Sequence, residues 1–231
     1  MFSTGTTNES ARVKWIEDTL KKIPAGLTIL DAGAGESQFK RFCDHLKYIA
    51  QDFGQYNGEG NVGLQMGTWD NSRLDIVSDI LSIPLPNHSV DAIMCTEVLE
   101  HIPDPIGAIK EFSRLLKPGG YLLLTAPFSS LTHFAPYHFA TGFSRYFYEK
   151  HFPDNSLEIV ELQFNGNFFE YVAQETRRIK PVAARYAGQK INIFQKIIIH
   201  LNLLVLQKLS KKDNGSSELL CYGIHVFARK K

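Results

Sequence analysis

Three acidic residues stand where short apolar runs end in the first third of the chain. Asp31, Asp52 and Asp79 each close or directly follow a run that predicts a β-strand. In an open α/β sheet, ligands bind outside the carboxyl ends of the parallel strands. Three carboxylates at that edge therefore predict one binding site, for a ligand that carries positive charge and hydroxyl groups.

A glycine-rich turn, Asp31-Ala32-Gly33-Ala34-Gly35, follows the first predicted strand. Glycines let the backbone approach a ligand closely, and the start of a helix offers unpaired N–H groups. A carboxylate at Asp31 would repel a pyrophosphate but suits an ammonium or sulfonium. The third glycine of the NAD fingerprint is also missing, because Gln38 stands there. The turn favours a cationic cofactor, and an NAD-type oxidoreductase stays as an alternative.

Asp52 and Asp79 each have two interpretations, as residues that bind a ligand or as residues that only form a local turn. Asp52 lies 21 positions after Asp31, where a carboxylate accepts both ribose hydroxyl protons. Asp79 can meet an adenine amino group while Ile80 covers the ring. Turn formation by Asp52 and an Asx turn at Asp79 explain the same residues without a ligand.

Composition places the chain among ordinary globular proteins. Of its 231 residues, 44% are hydrophobic and 21% charged, and the formal net charge is +1. Nucleic-acid binding usually leaves a basic footprint, so this balance disfavours it. The three cysteines, Cys43, Cys95 and Cys221, form no CxxC pair, which argues against a disulfide framework or a zinc ribbon. A reducing cytoplasm is the expected compartment. The N-terminus has no apolar region typical of a signal peptide.

Apolar runs and amphipathic segments alternate along the chain, which predicts βαβ units and an α/β fold. Asp104 and Pro105 predict a helix start, and Lys117–Gly120 predicts its stop. Strands are expected at 27–30, 48–50, 74–77, 90–95, 121–125, 157–164 and 219–228, a long loop at 53–69, and helices at 36–46, 105–116, 141–151 (capped by Thr141) and 168–210, the last with a break at Pro181.

The region from about 27 to 128 resembles the core of class I S-adenosylmethionine (SAM) dependent methyltransferases. The resemblance rests on four segments in the family's order: Asp31–Gly35, Asp79-Ile80, Val90–Ile102 and Leu115–Leu122. It implies a Rossmann-like sheet of seven mostly parallel strands with an antiparallel last strand and helices on both faces. It also implies SAM as cofactor and S-adenosylhomocysteine (SAH) as product. Ser37 departs from the pattern, since many members carry a third glycine there.

The resemblance also assigns the cofactor residues. These are Asp31, Ala32, Gly33, Gly35, Gln38, Asp52, Phe53, Asp79, Ile80, Thr96, Glu97 and Val98. No metal is expected. The run Glu97–His101 superficially resembles an inverted zinc-protease motif, but that motif requires a histidine where Glu97 stands. Tyr56 and Trp69, in the loop after the second strand, either cap the cofactor or anchor the loop.

An aromatic segment with two histidines, residues 127–139, follows the fifth predicted strand. Methyl transfer to an O–H or N–H⁺ group requires the acceptor to lose a proton, and histidine titrates near neutrality. His133 and His138 are the candidate bases and Tyr137 a positioning group. His101 is either a base on the substrate side or a structural residue. The alternative for the segment is a lid whose side chains only pack.

The expected function is methyl transfer to an O or N atom of a small molecule, such as a sugar or another metabolite. A catalytically silent SAM-binding protein is the second alternative, beside the oxidoreductase. Nucleic-acid methylation is disfavoured, because Thr96-Glu97-Val98-Leu99 stands where amino-methylating enzymes often carry Asn-Pro-Pro-Tyr.

We expect one domain over residues 1–231, with a SAM-binding core at 27–128, a lid region at 129–152 and a helical insertion at 168–210. Residues 191–209 are strongly apolar but are interrupted by polar residues at near-helical spacing. This pattern favours an amphipathic helix that packs on the core or a partner, for example in a homodimer. Contact with a membrane surface is the alternative, and a transmembrane span is not expected.

Overall fold

A computed structural model describes residues 3–58, 63–64 and 69–231. The chain divides into two compact units. One consists of residues 14–163 and 223–231, and the other of residues 1–13 and 164–222. The predicted loop at 53–69 is irregular over 53–58 and at Trp69. Its parts at 59–62 and 65–68 lie outside the described residues.

Seven strands form one sheet in the order β3-β2-β1-β4-β5-β7-β6. β1 pairs in parallel with β2 and β4, while β7 pairs antiparallel with β5. This confirms the predicted fold class. The strands are β1 (Thr28–Ala32), β2 (Lys47–Asp52), β3 (Ile76–Val77), β4 (Val90–Thr96), β5 (Leu116–Pro127), β6 (Leu157–Asn165) and β7 (Gly223–Lys230); the helices are α1 (Asn8–Leu20), α2 (Pro105–Leu115), α3 (Arg145–Asp154), α4 (Phe168–Tyr186) and α5 (Ile193–Ser210).

The central strands are apolar on both faces because both faces are covered. In β4, Ala92 through Cys95 are fully buried, as are Ile29 and Leu30 of β1. Continuous apolar runs of this kind are typical of parallel strands between helical layers. The prediction that Cys95 belongs to the core is confirmed.

Helix α2 begins as predicted and ends at Leu115, one residue before the predicted end. The Asp104 side chain accepts a hydrogen bond from the Gly107 N–H at 2.8 Å, and Pro105 occupies the first turn. Strand β5 starts at Leu116 rather than at the predicted residue 121. Leu116 pairs with Val90 of β4 and Tyr121 with Ala92, so Lys117–Gly120 form an irregularity between these pairs, in which Gly119 has a φ angle of +77°. The local turn preference of Pro118 and its glycines therefore persists inside the strand.

The predicted helix over 36–46 is also wrong. Only Lys40–Phe42 form one turn of 3-10 helix. Gly35 and Ser37 have φ angles of +50° and +58°, which a right-handed helix does not allow. Phe39 is nevertheless buried. The apolar spacing therefore predicted the burial of Phe39 correctly, although it predicted a helix that does not form.

Four other boundaries differ from the sequence-based expectations. α1 was not anticipated, β7 starts at Gly223 rather than 219, and α3 starts at Arg145 after Ser144 rather than being capped by Thr141. Pro181 lies inside α4 and does not break it. The break falls at 187–192, because Gly188 has φ +61° and Asn192 and Gln195 form a capping box that starts α5.

The unit of residues 1–13 and 164–222 has a small core of its own. Ala173 of α4 packs with Leu203 and Leu206 of α5, and three partly buried residues, Phe169, Val172 and Ile199, surround them. Most other apolar side chains of α5 are exposed. The prediction that α5 packs on a core is therefore correct only for the side of the helix that carries Leu203 and Leu206.

Candidate active site

Asp31 lies at the carboxyl end of β1 and is almost completely buried. The Tyr48 hydroxyl donates to Asp31 Oδ2 at 2.5 Å. The other oxygen, Oδ1, is buried without a hydrogen-bond partner among the described residues. Burial raises the pKa of Asp31 to about 7, the Tyr48 hydrogen bond opposes this, and Asp52 adds to it. A buried acceptor of this kind fits a cationic ligand group.

The glycine turn approaches two side chains so closely that it excludes larger residues. A Cβ at Gly33 would lie 2.5 Å from Val98 Cγ2, and one at Gly35 would lie 2.6 Å from Trp69 Cζ2. Both glycines also have positive φ. Val98 and Trp69 therefore line the turn that the sequence assigned to the cofactor.

Asp52 holds this turn in place. Its Oδ2 accepts from the Gly35 N–H at 3.1 Å, and its Oδ1 accepts from the Gly54 N–H at 2.9 Å. The local turn role therefore exists. Each carboxylate oxygen has a second lone pair, so the predicted contact with ribose hydroxyls remains available to it.

Two predicted cofactor residues lie at the rim. Asp79 is exposed and forms the Asx turn considered above, with its Oδ1 accepting from the Leu81 N–H at 2.9 Å. Gln38 is exposed too, whereas Ile80 is buried. An adenine contact for Asp79 and Ile80 stays a prediction.

The end of β4 turns sharply after Thr96. Glu97 has φ +55°, and its Oε1 accepts a hydrogen bond from the Thr125 hydroxyl at 3.0 Å. The strained residue directs the chain into a 3-10 turn over Leu99–His101. Non-glycine residues in this conformation cluster at functional sites.

The segment after β5 returns to this 3-10 turn. The N–H groups of Phe139 and Ala140 both donate to the Glu100 carbonyl, at 2.9 and 3.2 Å. As a result the rings of His101 and His133 lie 4.6 Å apart, and those of His133 and His138 lie 5.1 Å apart. The structure brings together all three predicted histidines.

Backbone carbonyls orient these rings. The Tyr137 carbonyl lies 2.5 Å from His101 Nδ1, and the Leu131 carbonyl lies 2.8 Å from His133 Nδ1. A carbonyl only accepts, so in both rings Nδ1 carries the proton and Nε2 a lone pair. The Ser130 hydroxyl donates to the Thr141 carbonyl, so it accepts from His138 Nε2 and leaves the lone pair on His138 Nδ1.

Aromatic side chains enclose the same region. Tyr56 stacks on Phe134 with ring centroids 4.4 Å apart, and Trp69 meets Phe134 edge-on at 5.2 Å. Phe53 meets the Tyr137 ring edge-on at 4.9 Å. The loop after β2 thus contacts the segment after β5 through Tyr56 and Trp69, and Trp69 also lies against Gly35 of the glycine turn.

Two site residues were missed by sequence reasoning. Glu100 is fully buried beside His101 and His133, and Phe134 is the common partner of Tyr56 and Trp69. The sequence shows that Glu100 and His101 are neighbours, but only the fold brings His133 close to them. Tyr137 acts on His101 through its carbonyl, which no residue-type pattern indicates.

Comparison with known proteins agrees with this geometry. A family model described as a methyltransferase domain matches residues 30–124. A ubiquinone biosynthesis O-methyltransferase from Leptothrix cholodnii is 30% identical over 120 residues, which is 49% of this chain and 49% of that protein. The matches to curated relatives of this kind cover between 25% and 49% of the length of those proteins.

Solved structures share the fold across almost the whole chain. Geranyl diphosphate methyltransferase in complex with SAM superposes with a TM-score of 0.55 at 13% identity, covering 96% of this chain and 86% of that one. A (4+2)-cyclase superposes equally well, at 0.55 and 16% identity, with 96% and 82% coverage. The fold therefore accommodates more than one chemistry.

Residues 30–124 thus match a methyltransferase domain, and the strand order and the acid-and-glycine edge of the structure are consistent with that match.

Proposed function

We propose that the chain transfers a methyl group from SAM to a hydroxyl oxygen of a small molecule. The observation that carries the proposal is the position of the histidine cluster: the Phe134 ring contacts both His133 and Trp69, and Trp69 lies against Gly35 of the glycine turn. The name of the Leptothrix cholodnii relative supports an oxygen acceptor rather than a nitrogen. The net charge of only +1 and the absence of the Asn-Pro-Pro-Tyr sequence disfavour nucleic acid.

The residues present fit SAM. Asp31 offers a buried carboxylate to a cationic group, Asp52 retains acceptor capacity for ribose hydroxyls, and Gly33 and Gly35 keep the backbone accessible. Thr96, Glu97 and Val98 follow β4 at the same edge. When bound, SAM supplies an electrophilic methyl group and leaves as SAH.

The histidines supply the proton acceptor. A hydroxyl group that accepts a methyl group must give up its proton, so a neutral imidazole beside it would serve as the proton acceptor. Burial lowers the pKa of His138, and His133 lowers it further. His138 is therefore neutral at physiological pH, with its lone pair on Nδ1, and we assign it as the base.

Two other functions make different predictions. A silent SAM-binding protein would bind SAH and methylate nothing. An oxidoreductase would bind NAD, which the buried Asp31 carboxylate opposes. We also propose a reducing cytoplasm for the chain, consistent with three buried cysteines that form no disulfide within the described part of the chain.

Asp52→Asn should weaken SAH binding about tenfold or more, because the ribose hydroxyls lose a charged acceptor while Gly54 keeps an oxygen partner. Calorimetry on the purified chain measures this, with Asp44→Asn as the control at an exposed position. NAD should give no heat of binding. Tight NAD binding, or a folded chain that binds neither ligand, would contradict the proposal.

Cofactor affinity should fall as the pH falls below about 7. Asp31 has a raised pKa in the free protein, and a bound cation needs it ionised, so binding releases a proton below that pH. The dissociation constant of SAH should rise by up to about tenfold between pH 7 and pH 6. Asp31→Asn should bind more weakly with a flat profile, whereas an unchanged slope in this variant would assign the proton to another group.

His138→Ala should lower the turnover of an accepted substrate by about 100-fold or more, with SAH affinity unchanged, because the base is lost and the cofactor site is intact. The measurement is transfer of labelled methyl from SAM to a panel of phenols, sugars and other hydroxyl compounds. His151→Ala removes an imidazole on α3 and serves as the control. Full activity of His138→Ala on any substrate would exclude the assignment.

A further inference from the structure

Three electron-pair donors converge beside the lid. Glu100 Oε1 lies 3.6 Å from His101 Nε2 and 3.9 Å from His133 Nε2, and one ligand atom from each of the three residues lies within 4.8 Å of the others. Glu100 is fully buried, while both histidines are partly buried. The cluster therefore concentrates negative potential in a region with little water.

The two imidazoles face the carboxylate with lone pairs rather than protons. Their Nδ1 atoms donate to the carbonyls of Tyr137 and Leu131, which leaves both Nε2 atoms deprotonated in the neutral rings. Lone pairs that converge on a carboxylate repel it unless a cation lies between them.

We propose that Glu100, His101 and His133 bind one divalent transition-metal ion. Two imidazoles and one carboxylate suit zinc, iron or cobalt better than magnesium or calcium. The carbonyl partners of both Nδ1 atoms are the usual outer contacts that orient metal-binding histidines. This proposal replaces the expectation of no metal that the sequence motif suggested.

Coordination requires the three ligand atoms to move closer together. In a tetrahedral zinc site with bonds of about 2.0–2.1 Å, neighbouring ligand atoms are about 3.3 Å apart. The Glu100 distances of 3.6 and 3.9 Å are close to this value, and the His101 and His133 ligand atoms, which lie within 4.8 Å of each other, must approach by at most about 1.5 Å. Three protein ligands leave coordination positions open, as in catalytic sites. A bound acceptor hydroxyl would there have a lowered pKa, which deepens the proposed function and rests on it.

The test uses the metal alone. The full chain, freed of metal by chelation, should bind one Zn²⁺ with micromolar affinity or better by calorimetry, and Co²⁺ should give visible absorption bands of a coordinated site. His101→Ala and His133→Ala should each weaken Zn²⁺ binding at least 100-fold, while His151→Ala should not. Thermal unfolding verifies that each variant is folded.

The proposal would be overturned by no stoichiometric Zn²⁺ binding to the wild-type chain, or by equal binding to His133→Ala. A proton shared among the three groups would then explain the cluster. Failure of SAH to bind tests the cofactor site separately, because the metal titration contains no cofactor.

A second and independent observation concerns α5. Eight of its apolar side chains are between 37% and 73% exposed: Ile193, Phe194, Ile197, Ile198, Leu201, Leu204, Val205 and Leu209. The helix is long and apolar enough to cross a membrane by composition, with a mean hydropathy of 1.2, and 11% of it is buried. An apolar surface of this extent marks a binding surface.

Charge indicates what this surface binds. Residues 176–212 contain nine of the chain's 25 lysines and arginines and none of its 24 aspartates and glutamates. Basic residues around an apolar helix are typical of segments that lie in the interface of anionic lipid bilayers. Lys196 and His200 fall within the helix itself, and its 18 residues are fewer than a span usually needs.

We infer that α5 lies on the surface of a membrane that contains anionic lipid. The full chain should sediment with vesicles of phosphatidylcholine and phosphatidylglycerol, less with phosphatidylcholine alone, and less at high salt. Ile197→Asp with Leu201→Asp should reduce binding at least tenfold, and replacing Lys208, Lys211 and Lys212 by Gln should do the same. Val160→Asp, at an exposed apolar residue of β6, is the matched control.

Equal sedimentation of the Ile197 and Leu201 variant, or no sedimentation of the wild-type chain, would overturn this inference. Light scattering in solution tests the competing explanation, in which a second copy of the chain covers the apolar face of α5. A wild-type dimer that becomes a monomer in the same variant would mean that a second copy of the chain covers the helix instead.

Discussion

Parallel hydrogen bonding of β1 with β2 and β4 determines where the polar groups of the site lie. Asp31 pairs with Ala50 on one side and Met94 on the other. The pairing continues beyond the strand, because the N–H groups of Gly33 and Ala34 both donate to the Gln51 carbonyl at 2.9 Å. A one-residue slip would turn Asp31 to the opposite face of the sheet. The glycine turn, Asp52 and the end of β4 therefore share one edge only in this register.

Burial then sets the charges at that edge. Removal from water raises the pKa of Asp31 to about 7 and lowers that of His101 to about 4, so both groups favour their neutral forms. The same low dielectric strengthens any interaction with an arriving cation. The region around Asp31, called the cofactor side, and the region around His101, called the histidine side, thus have a common property. A ligand that brings positive charge would stabilise each of them most.

The two sides are assembled in different ways. The cofactor side comes from short segments that directly follow β1, β2 and β4. The histidine side requires the chain to return from β5, held by the hydrogen bonds of Phe139 and Ala140 to the Glu100 carbonyl. The unit of residues 1–13 and 164–222 carries a separate property, an apolar and basic helix, although the net charge of the whole chain is only +1. The composition of the whole chain therefore does not reveal the excess of basic residues in and around α5.

The sequence by itself determined the fold class and the position of Asp31, Asp52 and the glycine turn at the ends of parallel strands, because buried parallel strands and glycine turns have local signatures. It misled at residues 36–46, where positive φ at Ser37 prevents a helix, and at the start of β5, where pairing of Leu116 with Val90 begins the strand before the expected residue 121. Only the tertiary structure decided the meeting of Glu100 and His101 with His133, and the exposure of α5. Both depend on contacts between residues far apart in the chain, which periodicity and short motifs do not encode.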